Sequence, residues 1–409
     1  MSSREYILKK GFYRSGFNNF VSFTTAFRGP LNYRYDGWRG ILYKVYSIII
    51  DLWTFIAAAG LIIEFVTPGI PLISRCLSGF TAMICFMTMF KWVYYYMNRT
   101  SFENLLIEYE SCFPNDEFKE QLDEEIAKYS KMFRPVVIYM TIAIILTQMP
   151  WCFIPFVNEF RGKKPRVIAV PANFLFDPTV NSYSFLAICL LQTFAAYLIP
   201  VKNLAFDDVF YCYSSRQLAL FSHLEKSLDR LLERHYSING VDRPPGRKAE
   251  LDFINWVKYH QKTITLMEDL QKLFSPVLLL YFGLISLSMC MNVFVVSLGE
   301  LDFVQRSFCG IFAGGNILGL LFTCRVGDLI IYKSSTLPNA FLNKLTAIAT
   351  KREHRILKLI LTRIQVPSTM SAIGVFFLNS DTFQSTDMGL REQMVFKNDE
   401  ACTQTQMDI

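Results

Sequence analysis

The feature that most constrains this chain is the length of its apolar runs. Stretches at roughly 41–66, 73–97, 135–157, 181–212, 273–298 and 305–332 consist mostly of Ile, Leu, Val, Phe, Ala and Met. Each is about 20–30 residues, enough to cross ~30 Å of hydrocarbon as a helix. A seventh run, near 354–380, opens apolar and then turns polar. Composition alone would not reveal this, because 52% hydrophobic residues is close to what a soluble chain carries. In lipid every backbone N–H and C=O must be satisfied within its own segment, so such runs must be helices. The expected fold is therefore an all-α membrane protein with seven transmembrane helices. The 181–212 run is longer than a bilayer needs, so it must tilt or continue beyond the membrane as one helix.

Orientation follows from Lys and Arg on alternate sides. The N-terminal segment 1–40 carries Arg4, Lys9, Lys10, Arg14, Arg28, Arg34 and Arg39, and the loop after the fourth run is dense in basic residues from Arg216 to Lys272. The opposite side holds only Arg75, Arg161, Lys163, Lys164, Arg166 and Arg306. The expectation is a cytoplasmic N-terminus and an extracellular C-terminus, the reverse of a receptor that signals through G proteins. The segment Asn98-Arg99-Thr100, an acceptor sequence for glycosylation, then lies inside, where it stays unmodified. No apolar core of a cleavable signal peptide is read in the first forty residues, so the first span is expected to direct insertion.

The cytoplasmic segments have helical spacing. "SRQLALFSHLEKSLDRLLE" repeats Leu218, Phe221, Leu224, Leu228 and Leu231. The "PPG" at 244–246 breaks it, and a second helical stretch then runs into the fifth span. These apolar stripes pack either on each other or on a neighbouring subunit.

A search for chemistry returns little. His223, His235, His260 and His354 share no metal spacing and read as solvated helix faces. The ten cysteines form no CxxC, and most sit inside apolar runs, which argues against a disulfide framework or a zinc site. "GVDRPPGRK" has the wrong spacing for a phosphate loop. Asp51, Glu64 and Asp328 fall near span ends, where water is close. No catalytic set, cofactor site or metal site is expected, and the net charge of +6 is a topology signal rather than a nucleic-acid surface. Gly310, Gly314, Gly315 and Gly319 form two small-xxx-small pairs and predict close helix packing.

The outer halves of spans two to five offer a mostly apolar and aromatic set: Phe80, Met83, Ile84, Ile144, Thr147, Gln148, Trp151, Cys152, Tyr183, Ala187, Ile188, Met291 and Phe294. Such a set would hold a small apolar molecule chiefly by burial. Ordinary bundle core is the competing reading for each of these residues.

Three stretches resemble the insect odorant receptor family. "HQKTITLMEDLQKLFSPVLLLYFGLISLSMCMNVFVVS" (260–297) is similar to the approach and fifth span of that family, and "FTCRVGDLIIYKSSTLPNAF" (322–341) to its sixth-span exit. "KREHRILKLILTRIQVPSTMSAIGVFFLNSDTF" (351–383) resembles the start of its last helix. The resemblance implies an odorant-gated, non-selective cation channel. It implies a tetramer assembled with a shared co-receptor and a seventh helix lining the central pore. The chain lacks the longer cytoplasmic insertion typical of the co-receptor, so it resembles an odorant-tuning subunit. The ligand would be a small volatile organic molecule, and the location the plasma membrane of a sensory dendrite.

On this resemblance 41–332 holds spans one to six with the ligand pocket. Residues 333–383 form a cytoplasmic anchor helix and the start of the seventh, with Pro367, Phe376, Leu378, Thr382 and Phe383 as pore or gating residues. From Pro367 to Phe383 a helix is about 25 Å long, short of a bilayer core. The tail 384–409 departs from the family pattern, with Asp387, Arg391, Glu392, Lys397, Asp399 and Glu400. The alternatives are a gustatory-type channel, whose Thr-Tyr…Gln-Phe signature is not seen here, and a receptor that signals through G proteins. A transporter would need an inverted repeat and midplane polar sites, and neither is read here.

Overall fold

The computed structural model describes residues 38–112, 116–162, 165–174, 176–236, 247–297, 303–345 and 368–380. Seven helices account for most of them: α1 (Trp38–Val66), α2 (Leu72–Met97), α3 (Arg99–Ser111), α4 (Asp116–Phe160), α5 (Ser182–Tyr236), α6 (Arg247–Ser297) and α7 (Phe303–Leu345). All but the short α3 include a stretch long and apolar enough to span a bilayer, which gives six candidate spans among the described residues. A two-stranded ribbon follows, β1 (Ser371–Ala372) and β2 (Phe376–Phe377).

The fourth apolar run continues without a break into the polar sequence after it. α5 is 55 residues, roughly 80 Å at 1.5 Å per residue, and carries Pro200 inside it. α4 and α6 are similarly long, at 45 and 51 residues. The bundle therefore has two unlike ends. At the loop end lie the α1–α2 turn and the α4–α5 connection. At the extension end α4, α5 and α6 run on together, joined by α3.

The α1–α2 turn is tight because Gly69 adopts φ +82°, a conformation glycine takes without strain. Arg75 donates to the Thr67 carbonyl (3.0 Å) and Ser74 to Glu64 (3.1 Å) across it. The extension is packed as a protein core. Phe102 of α3 is fully buried, with ring centroids of Tyr95, Phe274, Tyr213 and Phe206 at 4.8, 5.4, 6.1 and 6.4 Å. Tyr213 donates to the Phe102 carbonyl (2.6 Å) and Tyr109 to Gln217 (2.7 Å). Leu218, Phe221, Leu224 and Leu228 are all buried in this core, so the stripe on α5 packs within its own chain. The same packing corrects the reading for two of the four histidines, the His235 side chain and His354 lying outside the described residues. His223 and His260 are 2% and 4% exposed; His223 Nδ1 lies 3.2 Å from the Tyr259 hydroxyl, and His260 stacks on Trp256. Helical spacing put them on the covered face, where aromatic neighbours accept an imidazole.

The glycine pairs behave differently from one another. Gly319 faces the Tyr281 hydroxyl, which would lie 3.0 Å from an added Cβ, whereas a Cβ at Gly310, Gly314 or Gly315 would meet nothing within 4 Å among the described residues. Among the described residues, the expected close helix contact is thus absent at those three positions.

The expected seventh helix near 354–380 is corrected over its described part. Residues 370–378 form a hairpin with Ser371 opposite Phe377 and Ala372 opposite Phe376. Val375 N–H donates to the Ala372 carbonyl (3.0 Å), with Ile373 at φ 52° and Gly374 at φ 74°. Positive φ at both central residues is the turn that suits a hairpin, and Gly374 favours it where a helix would be weakened. The hairpin sits between α6 and α7. Ser275 Oγ donates to the Ser371 carbonyl (2.8 Å) and accepts from Ile373 N–H (2.5 Å). Gln271 donates to the Ser371 hydroxyl (2.8 Å), and Ser380 donates to Asp328. Gly327 lets the Leu378 backbone lie directly against α7.

Candidate functional site

A cavity of about 630 Å³, counting the part open at its mouth, lies toward the loop end among α1, α2, α4, α5 and α7. Helix α1 supplies Ala57 and Leu61, α2 supplies Thr81, Ile84 and Cys85, and α4 supplies Gln148. Gln192, Ala195, Ala196, Ile199 and Pro200 come from α5, and Phe308 and Phe312 from α7. The α5 positions recur every three to four residues, which places them on one helix face.

The sixth wall is a loop. Between α4 and α5 the chain folds back into the bundle, and Val170, Ala172 and Phe174 line the cavity. The loop is tied down at several points. Gln192 Nε2 donates to the Val170 carbonyl (2.6 Å) and Val170 N–H donates back to Gln192 Oε1 (3.4 Å). Asn173 N–H donates to the Gly60 carbonyl on α1 (3.0 Å). Arg166 forks onto Glu159 at 2.7 and 2.9 Å, then reaches the Thr179 carbonyl (2.8 Å) and the Ser182 hydroxyl (2.5 Å). That one guanidinium joins the end of α4, the loop and the start of α5. The Thr179 hydroxyl and backbone N–H both donate to Asp177, and they hold its carboxyl below the usual carboxylate range.

The cavity is chemically quiet. Its polar side chains are Thr81, Gln148 and Gln192. Thr81 donates to the Leu77 carbonyl on its own helix (2.9 Å), and Gln192 holds Val170. Among the described residues no group of His, Cys, Asp and Glu is arranged to hold a metal. A site of this kind binds by excluding water from an apolar molecule.

The sequence-predicted site residues separate into groups. Ile84 and Gln148 line the cavity. Phe80 is buried behind it, its ring 5.0 Å from that of the lining Phe312, and Met291 and Phe294 pack with it in a small satellite core. Ile188 and Cys152 are buried, while Met83 and Ile144 are half-buried; none of these four lines the cavity. Tyr183 is 83% exposed and Ala187 is exposed, so the structure does not bring them to the cavity. They share the outward face of α5 with Leu190 and Phe194, at spacings of four, three and four. Thr147 and Trp151 lie on α4, with side chains outside the described set. Of the expected pore residues, Phe376 stacks on Phe282 (centroids 6.0 Å apart) and Leu378 is buried, whereas Pro367, Thr382 and Phe383 lie outside the described residues.

Sequence reasoning missed the first-span residues Ala57 and Leu61, the α7 residues Phe308 and Phe312, and the whole loop wall. The loop did carry a signal: "VIAVPANFLF" (167–176) is apolar between two polar flanks, which is unusual for a loop in water.

Six candidate spans among the described residues, five of them bordering an apolar cavity, are the architecture of a multi-span membrane protein with a site suited to an apolar molecule. The sequence model of the 7tm Odorant receptor family matches residues 75–387, and the chain belongs to that family. It is similar to Putative odorant receptor 92a of Drosophila melanogaster, at 23% identity over 298 residues, 70% of this chain and 69% of that one. Odorant receptor 85c of the same fly is 22% identical over 313 residues, 73% of this chain and 75% of its own. The fold is that of the insect olfactory receptor OR5 from Machilis hrabei. The structure of that receptor in complex with eugenol aligns with a TM-score of 0.76 at 15% identity, covering 96% of this chain and 98% of that one.

Proposed function

We propose that this chain is the odorant-binding subunit of an odorant-gated, non-selective cation channel, assembled as a heterotetramer with a shared co-receptor in the plasma membrane of sensory neurons. The observation that carries the reading is the apolar cavity at the loop end, walled by five helices and by a pinned loop. Two of its three polar side chains already hydrogen-bond within the protein, so a ligand is held mainly by burial of its carbon skeleton. The OR5 structure with eugenol, a small organic molecule, supports that ligand class. The Lys and Arg distribution supports a cytoplasmic extension end and an extracellular loop end, so odorant enters from outside. The charged residues after Phe383 support a pore built largely by the co-receptor, because each charge costs about 2.5–3.5 kcal/mol at mid-membrane.

The test is current recording from cells that express the chain with a co-receptor and alone, with both proteins quantified at the surface. Odorant-evoked current is expected only from the pair. Ala195→Phe fills the cavity from α5 and is expected to raise the half-effective concentration about ten-fold, the cost of roughly two methylenes of lost ligand burial at ~0.8 kcal/mol each. Robust current from the chain alone overturns the division of labour. An unchanged dose–response curve in Ala195→Phe overturns the cavity as the binding site.

A further inference from the structure

We infer that Gly60 sets the range of ligand sizes the cavity admits, by leaving a notch in α1 that seats the Phe174 ring as one of its walls. The inference rests on the cavity being the odorant site. Gly60 is buried within the last two turns of the membrane helix α1, where glycine is a poor helix former and has to be explained by what approaches it. What approaches is the loop. A Cβ added at Gly60 would stand 2.7 Å from Phe174 Cε1 and 3.1 Å from Cδ1 and Cζ, closer than carbon atoms pack. The Gly60 carbonyl also accepts the Asn173 N–H at 3.0 Å, so the residue before the ring is held to the same point of α1.

The ring has little freedom elsewhere. Four residues back, the Gln192 amide grips both polar atoms of Val170 and ties the loop to α5. With the backbone fixed at Val170 and Asn173, a ring pushed away from α1 moves into the space it borders. A methyl group at position 60 therefore narrows the cavity without touching the ligand. Gly60 and Phe174 act as a matched pair, and Gln192 is the positioning residue that makes the match effective. Pockets discriminate roughly 10–200-fold per methylene when their walls do not yield, so a wall fixed in this way makes potency depend on ligand length.

The experiment uses the full chain with its co-receptor and straight-chain primary alcohols from butanol to decanol as probes. Gly60→Ala is expected to weaken the longest active alcohols about ten-fold more than the shortest. Adding Phe174→Leu to Gly60→Ala removes the ring and is expected to restore the original order of potency. Phe174→Leu alone is expected to move the preferred length upward. Gln192→Leu keeps the volume but loses both hydrogen bonds, and is expected to flatten the dependence on length. An equal change across the series, or a Gly60→Ala effect that persists in the double variant, overturns the proposal. If Gly60→Ala does not reach the surface, an unchanged length preference in Phe174→Leu overturns it equally. A silent Gly60→Ala beside an active Ala195→Phe refutes only this pairing, whereas silence of both refutes the cavity as the site.

Discussion

At the extension end of α2, Lys91 is buried and reaches Asp207 of α5 at 2.6 Å, with its ammonium 4.4 Å from the Tyr281 ring centroid. Two turns toward the loop end, on the same helix, Ile84 and Cys85 border the apolar cavity. A second pair, Lys202 with Asp51 at 2.7 Å, lies at the level of the first, with Lys202 4.4 Å from the Trp92 ring. One half of the bundle is thus fastened helix to helix by buried charge pairs and interlocked rings; in the other, apolar helix faces surround a space whose one pinned wall is the loop held by Arg166 and Gln192. A charge pair out of water has one good geometry, because either partner alone is costly. Apolar walls have many nearly equivalent arrangements. The difference assigns rigidity to the half that must hold the helices in register and compliance to the apolar helix faces that, opposite the fixed Phe174 wall, must admit a ligand.

The largest expected effect breaks the rigid half. Lys91→Met leaves Asp207 without its cation inside the bundle and should destabilise the protein by about 3–5 kcal/mol. Joining it with Asp207→Leu removes both charges and should recover most of the loss. Surface quantity and thermal melting of detergent-solubilised protein report both variants. A single variant as stable as the parent would show that the pair fastens nothing.

A smaller effect is expected at the hairpin, which belongs with the rigid half because it is docked by hydrogen bonds. Gly327→Ala puts a methyl group against the Leu378 backbone, and overpacking of this kind costs about 1–3 kcal/mol. Hydrogen exchange at Ile373 and Leu378 should speed up, since both amides are bonded in the docked form at 2.5 and 2.8 Å. Unchanged exchange at both would mean the hairpin does not depend on that close approach.

How far the sequence told these halves apart follows from what each interaction depends on. The spans were legible because a bilayer imposes a length and excludes charge, and both are local properties. The excess length of the fourth run was legible for the same reason, though it left tilt and continuation as alternatives, and the apolar stripe from Leu218 to Leu231 was legible from its helical spacing. Charge pairs were not, since Asp51 and Lys202 are 151 residues apart and each reads alone as a residue near a span end. His223 and His260 misled because a polar residue on a helix reads as exposed until its aromatic neighbours are known. Of the expected set, Ile84 and Gln148 border the cavity while Tyr183 faces outward, because helix phase cannot be fixed when a span is apolar on every face. The wall from Val170 to Phe174 was missed because a loop gives no periodicity to read. The hairpin was taken for a helix because a short apolar run fits either, and only Gly374 pointed to a turn.

The smallest expected effect sharpens the compliant half. Ile84 is 6% exposed, borders the cavity and was expected from sequence to line it. Ile84→Val removes a single methylene from the wall. If the ligand touches that wall, the loss is ~0.8 kcal/mol of contact, about a four-fold rise in half-effective concentration. A rigid site would respond more strongly, because the gap would stay open and add a cavity cost. A compliant one closes around the gap and shows the smaller figure. Ala195→Phe asks the same site to shrink, and compliance there should show as weakened potency with intact surface expression. A loss well beyond ten-fold in Ile84→Val would mean that the loop half is as firmly set as the half around Lys91. The contrast between them would then have to be one of polarity rather than of stiffness.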